Sequence, residues 1–147
     1  MKLSTRGRYA TRAMFDLAAN YQNKPVTLGS IAKRQEISVQ YLEQLIGPLK
    51  VAGLVSSMRG PNGGFTLTKP PLEIKVSDII QIVEGSTAPV ECVDAPDICR
   101  HSDNCPTRGI WVKAKQALDN VFESITLQDL IDEKAETMLP SGSMYHI

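Results

Sequence analysis

Apolar residues recur at helical spacing from the start of the chain: Ala10, Ala13, Met14, Leu17, Ala18 and Tyr21 share one face and leave Arg8 and Arg12 together on another. This predicts a first helix, ended by Lys24-Pro25. Thr27 then offers a hydroxyl to cap a short second helix with Leu28, Ile31 and Ala32 turned inward. After the turn Gln35-Glu36-Ile37, Ser38 offers another cap. The third helix packs through Val39, Leu42, Leu45, Ile46 and Leu49, and its opening is polar, with Ser38, Gln40, Tyr41, Glu43 and Gln44. A short helix, a tight turn and a longer helix with a polar first turn form the helix-turn-helix layout. Gly47-Pro48 interrupts it. An interior proline costs about 3 kcal/mol, which predicts a kink or restart and leaves residues 38–46 to enter a groove.

Beyond the helix stop Ala52-Gly53, the runs 54–58 and 65–68 alternate as short strands around Arg59-Gly60-Pro61-Asn62-Gly63-Gly64. A glycine-rich tip can cradle phosphate, but no helix follows this one directly, so a DNA-binding wing fits better. Arg59 then stands at the tip, and glycines such as Gly60 permit close backbone approach. After Lys69-Pro70-Pro71, a short helix from Ser77 to Glu84 packs through Ile79, Ile80 and Val83. Residues 85–106 are irregular and hold three prolines and all three cysteines, a length of loop that marks function or disorder. From Thr107 a long amphipathic helix carries Trp111, Ala114, Leu118, Val121, Phe122 and Ile125, a stripe suited to dimerisation. Thr126-Leu127-Gln128-Asp129 caps a last helix with Leu130 and Ile131. The expected fold is mainly α with a small β-hairpin wing. It comprises a winged helix-turn-helix domain over 1–75, a ligand-binding loop and dimerisation helices over 76–137, and a tail over 138–147.

Composition narrows the class. No apolar run among the 147 residues approaches the roughly 18 to 20 that span a bilayer. The Arg-rich start lacks a secretory apolar region and includes Asp16 within an amphipathic pattern, so it reads as a folded helix and not a targeting peptide. Net charge is zero, yet residues 1–75 hold 11 Lys/Arg against 4 Asp/Glu, while residues 76–147 hold 5 against 12. A basic half suggests a polyanionic partner such as double-stranded DNA, and the acidic half limits indiscriminate binding. In that setting Gln40 and Gln44 suit adenine, Glu43 can accept from cytosine N4 or repel a phosphate, and Tyr41 suits packing or a phosphate contact. Ser38 and Gly60 complete the expected DNA face, and Arg6, Arg8, Arg12 and Arg59 supply its salt-dependent backbone contacts.

Three cysteines without a secretory signal point to a cytoplasmic thiol or metal role rather than a disulfide framework. Cys92, Cys99 and Cys105 are separated by six and five residues, without the C-x-x-C pairs usual for structural zinc. Soft thiolates suit iron–sulfur clusters. Direct thiol or nitric oxide sensing and a structural zinc interaction module are the alternatives. An enzyme is disfavoured, because there is no cofactor fingerprint and no paired acid/base constellation.

Nearly the whole chain resembles the IscR-type iron–sulfur cluster regulators, dimeric winged-helix transcription factors. The resemblance rests on KLSTRGRYA, ISVQYLEQL, AGLVSSMRGPNGGF, the cysteine loop and ITLQDLID. It implies that Cys92, Cys99 and Cys105 hold a [2Fe-2S] cluster, that the protein is a homodimer on a pseudo-palindromic operator, and that it controls cluster-biogenesis genes. The family's usual histidine, three residues after the last cysteine, is Arg108 here, and the first-helix carboxylate of some relatives corresponds to Arg8. His101 is therefore the leading fourth ligand, with Asp94, Asp97, Asp103 and Thr107 as alternatives. The stretches QLIGPLKVAGLV and SGSMYHI also resemble the cysteine-metabolism repressors of the same superfamily. Those repressors lack this cysteine triplet. That resemblance implies docking of Tyr145 and Ile147 to cysteine synthase, against a tail that merely packs on its own dimer.

Overall fold

The computed structural model describes residues 2–138. Helices α1 (Thr5–Ala19), α2 (Leu28–Gln35) and α3 (Val39–Val51) lead into an antiparallel hairpin of β1 (Val55–Met58) and β2 (Gly64–Leu67). Helices α4 (Val76–Val83), α5 (Arg108–Ser124) and α6 (Leu127–Thr137) follow. This is the expected mainly helical chain with a small wing. No helix among the described residues is long and apolar enough to cross a membrane.

Helix starts follow the local chemistry. The hydroxyls of Thr27, Ser38 and Thr126 each accept the backbone N–H three residues on, at 3.1, 3.2 and 3.1 Å. At Thr126, Asp129 also accepts the backbone N–H of Thr126, closing a capping box. The start of α1 is capped from a distance. Glu84, at the end of α4, accepts the backbone N–H groups of Ser4 and Gly7, each at 3.1 Å, and the Ser4 hydroxyl. A carboxylate there complements the positive end of the helix. A Cβ on Gly7 would lie 2.7 Å from that carboxylate, so only glycine admits it without a shift.

Two expected helix boundaries are corrected. Helix α1 stops at Ala19, well before Lys24-Pro25, because the Asn20 side chain donates to the Asp16 carbonyl at 2.8 Å and ends the helix itself. Helix α3 runs unbroken through Gly47-Pro48 rather than restarting. Pro48 removes only the N–H that would reach the carbonyl of exposed Gln44, while buried Leu45, Ile46 and Leu49 hold the helix on either side of it.

The wing has a third contributor. Val26 donates to the Phe65 carbonyl at 2.9 Å and accepts from the Phe65 N–H at 2.7 Å, so β2 is flanked on both edges. Gly64 stands at φ 152° with no room for a Cβ, which would come 2.6 Å from the Val26 carbonyl oxygen.

One core joins these elements. Met14, Leu17, Ile31, Leu42 and Leu49 are fully buried together with Ile79 of α4 and Leu127 of α6, so the core runs across residue 75. Backbone bonds from Val76 to Ile125 and from Leu127 to Ile74, both 2.9 Å, pin the α5–α6 junction to this core. Helix α5 differs, with none of its residues buried.

Candidate nucleic-acid interface and cysteine loop

Helix α3 is two-faced. Leu42, Leu45, Ile46 and Leu49 enter the core, and Gln40, Glu43, Gln44 and Gly47, three and four residues apart, form one exposed face. Ser38 is exposed, its hydroxyl engaged as the cap. Tyr41 is half-buried and meets Tyr9 of α1 edge-on, with ring centroids 5.8 Å apart. The guanidinium groups of Arg8 and Arg12 lie 5.8 and 5.4 Å from the Tyr9 ring.

Arg6, Arg8 and Arg59 are exposed, and Arg12 is occupied. It donates to the carbonyl of Gln35, the last residue of α2, and to the Gln35 side chain at 3.4 Å. Behind it lies an ion pair that sequence reasoning missed. Asp16, 3% exposed, accepts two hydrogen bonds from Arg34 at 2.9 and 2.7 Å and one from Gln35 at 3.1 Å. The first helix of the helix-turn-helix, α2, is thus fastened to α1 by a buried carboxylate. On the wing, Gly60 takes φ 108° and its carbonyl accepts the Gly63 N–H at 2.9 Å, closing a tight tip directly after Arg59.

Residues 85–106 are more ordered than an irregular loop. Three short 3-10 turns succeed one another, and each delivers a cysteine: Cys92 within Glu91–Val93, Cys99 after Pro96–Ile98, and Cys105 after Ser102–Asn104. All three thiols are free; Cys99 is exposed, and Cys92 and Cys105 are half-buried. The Cys105 sulfur lies 3.3 Å from the Thr107 hydroxyl. That hydroxyl first, then the backbone N–H groups of Thr107 and Arg108, hold the Cys105 thiol below its ordinary range. Arg108 donates to the carbonyls of Cys92 at 3.1 Å and Val93 at 3.5 Å, so the residue in place of the family histidine clips the start of the loop to the base of α5. Farther along, the Thr87 hydroxyl donates to Asp119 at 2.5 Å beside the Lys115–Asp119 ion pair at 2.6 Å, a second tie between loop and helix.

His101, Asp94, Asp97 and Asp103 are exposed. Among the described residues, no three His, Cys, Asp or Glu side chains converge as ligands of one ion. A [2Fe-2S] group makes a different demand, since its four protein ligands are divided between two irons. The donor chemistry fits such a group, with three free thiols on consecutive turns, one of them stabilised toward thiolate. The Ser102 hydroxyl within the same loop is buried without a partner.

A helix-turn-helix with an exposed polar face, a glycine-tipped hairpin beside it and a helical extension define a winged helix-turn-helix DNA-binding protein. The chain belongs to the Rrf2 family, whose model, described as an iron-dependent transcriptional regulator, matches residues 3–133. It is 40% identical over 134 residues to the transcriptional regulator IscR of Photorhabdus laumondii, spanning 91% of this chain and 81% of that protein. It is also 40% identical over 130 residues to the transcriptional regulator CymR of Bacillus subtilis, spanning 88% and 89%. The solved IscR of T. potens superposes with a TM-score of 0.82 at 41% identity, covering 99% of this chain and 97% of that one. These relatives are transcriptional regulators rather than enzymes, and regulators of the family bind DNA and act as dimers. The family match ends short of the tail. Tyr145 and Ile147 lie outside the described residues, and docking to cysteine synthase gains no support.

Proposed function

We propose that the chain is a cytoplasmic homodimeric regulator that carries a [2Fe-2S] cluster on Cys92, Cys99 and Cys105, with His101 as fourth ligand, and controls cluster-biogenesis genes. The observation that carries this reading is the run of three 3-10 turns, each holding or followed by a free thiol, at the base of α5, none of whose residues is buried. When bound, the cluster supplies a charge that changes with iron supply and redox state. The chain's own residues do the rest. Arg108 fixes the loop to α5, Thr107 stabilises the Cys105 thiolate, and the outward stripe of α5 meets a second copy. A histidine in place of a fourth thiolate leaves the group more exposed to exchange, as a sensor requires.

The test is anaerobic reconstitution with iron and sulfide analysis and a visible spectrum. About two irons and two sulfides per chain are expected, and loss of both in Cys92→Ala. Colourless, iron-free wild-type protein would sink the cluster. A second reading, regulation of cysteine metabolism or direct thiol sensing, is favoured by the equal identity to CymR and by the acid-shifted Cys105 thiol. It predicts that colourless protein still binds DNA and releases it on thiol oxidation.

On DNA, two copies of α3 would enter successive major grooves, with Gln40, Glu43 and Gln44 at the base edges and Arg6, Arg8 and Arg59 at the backbone. Arg59→Ala is expected to weaken binding to all sequences alike and to reduce the log–log salt slope by about 0.9 per chain. Glu43→Ala is expected to relax selectivity at one base position by about 1–3 kcal/mol, read by competition among single-base operator variants. Unchanged selectivity would remove Glu43 from the readout.

A further inference from the structure

Two polar side chains are buried among the described residues, Asp16 and Ser102. Asp16 has three hydrogen-bond donors. The Ser102 hydroxyl has no partner, and it is the one buried side-chain oxygen or nitrogen among the described residues in that condition. An unpaired buried hydroxyl is a standing penalty that calls for a physical reason, and a partner that arrives with a bound group is one.

Its position says which partner. Ser102 lies three residues after Cys99 and three before Cys105, and its N–H donates to the Cys99 carbonyl at 3.1 Å. It opens the 3-10 turn that Cys105 ends. Ser102 and Cys105 thus bound one 3-10 turn, and no sulfur of the described chain is a hydrogen-bond partner of the hydroxyl in the metal-free loop. The Cys105 sulfur already has the Thr107 hydroxyl at 3.3 Å. In a loop whose loaded form gathers the thiolates of Cys92, Cys99 and Cys105, the acceptor that would arrive at this O–H is a sulfur anion, either a metal-bound cysteine thiolate or a sulfide of the cluster.

We propose that Ser102 is a positioning residue whose hydroxyl donates a hydrogen bond to a sulfur of the loaded cysteine loop, and so sets how long the cluster is retained and at what potential it is reduced. The inference rests on the cluster reading above. A hydrogen bond to sulfur withdraws electron density and favours the reduced, more negative state, so losing it moves the midpoint potential in the negative direction. It also removes an outer-shell support of the ligands.

The experiment compares full-length wild type, Ser102→Ala and Ser102→Thr after anaerobic reconstitution with iron and sulfide. In Ser102→Ala, iron transfer to a chelator is expected to accelerate about tenfold and the midpoint potential to become more negative. Ser102→Thr, which keeps a hydroxyl, should restore both. The melting temperature of the metal-free Ser102→Ala protein should not fall, because the hydroxyl it loses has no partner there. A lowered metal-free melting temperature without a change in potential would assign Ser102 a purely structural role and overturn the proposal. Equal chelation rates and potentials in a wild type and Ser102→Ala that both bind iron and sulfide would overturn it while leaving the cluster in place. A wild type that binds neither would overturn the cluster and Ser102 together.

Discussion

Val121→Glu is expected to turn the dimer into a monomer and to lower affinity for a two-half-site operator by about 10² to 10⁴-fold. Helix α5 carries two apolar stripes. Trp111, Leu118 and Phe122 are half-buried, and Leu118 and Phe122 line a cleft with Ile80 of α4. Ile110, Ala114, Ala117 and Val121, at spacings of four, three and four, form the adjacent stripe, and Ile110 and Val121 are 55% and 52% exposed. A protein of a dimeric family does not leave that stripe in water. Small alanines between Ile110 and Val121 let a second helix approach closely, and a glutamate at Val121 would bury an unpaired carboxylate in the seam. Without the partner, the second recognition helix no longer binds at high effective concentration. Light scattering gives the mass, and fluorescence anisotropy on full and half operators gives the affinities. Gln116→Glu, on the polar side of α5, should leave both unchanged. A Val121→Glu protein that keeps the dimer mass would place the seam elsewhere.

Sequence reading succeeds here where the determining contact is local. Thr27, Ser38 and Thr126 cap helices through bonds that span three residues, and the face of Gln40, Glu43 and Gln44 follows from helical period alone. It fails where the contact is long-range. Glu84 caps a helix that starts 79 residues earlier, and Val26 joins the wing across 39 residues, neither of which any pattern announces. Pro48 misleads for a related reason, since tertiary packing by Leu45, Ile46 and Leu49 overrides the local penalty. The cysteine triplet was legible as a soft-ligand loop, but its 3-10 turns are not periodic enough to be read. Arg108 was legible only as a missing histidine, and its bonds to the Cys92 and Val93 carbonyls show what it does instead.

The buried ion pair carries the second large effect. Arg34→Ala is expected to destabilise the fold by about 3–5 kcal/mol, because it strands a carboxylate and not because it removes an attraction. The two ends of the pair differ, with the Arg34 side chain 47% exposed and Asp16 3% exposed. Losing Asp16 frees an arginine that can turn to water, whereas losing Arg34 leaves Asp16 in the core with Gln35 alone. Arg34→Ala should therefore be the worse of the two truncations, with a melting temperature lower by about 10 °C or more for a chain of this size. Arg34→Lys should fall between, since an ammonium cannot make the two-point contact of Arg34 Nε and Nη2 with the carboxylate. The double change Asp16→Leu/Arg34→Met, which replaces both charges with apolar groups, should recover most of the loss. Because Asp16 fastens α2 to α1 and α2 supports α3, folded Arg34→Ala should also bind DNA less tightly at temperatures below its melting. Urea titrations of the four variants rank them directly. A cost below 1 kcal/mol for Arg34→Ala would mean that the pair behaves as a surface salt bridge and that packing of Ile31 and Leu17 alone holds α2 in place.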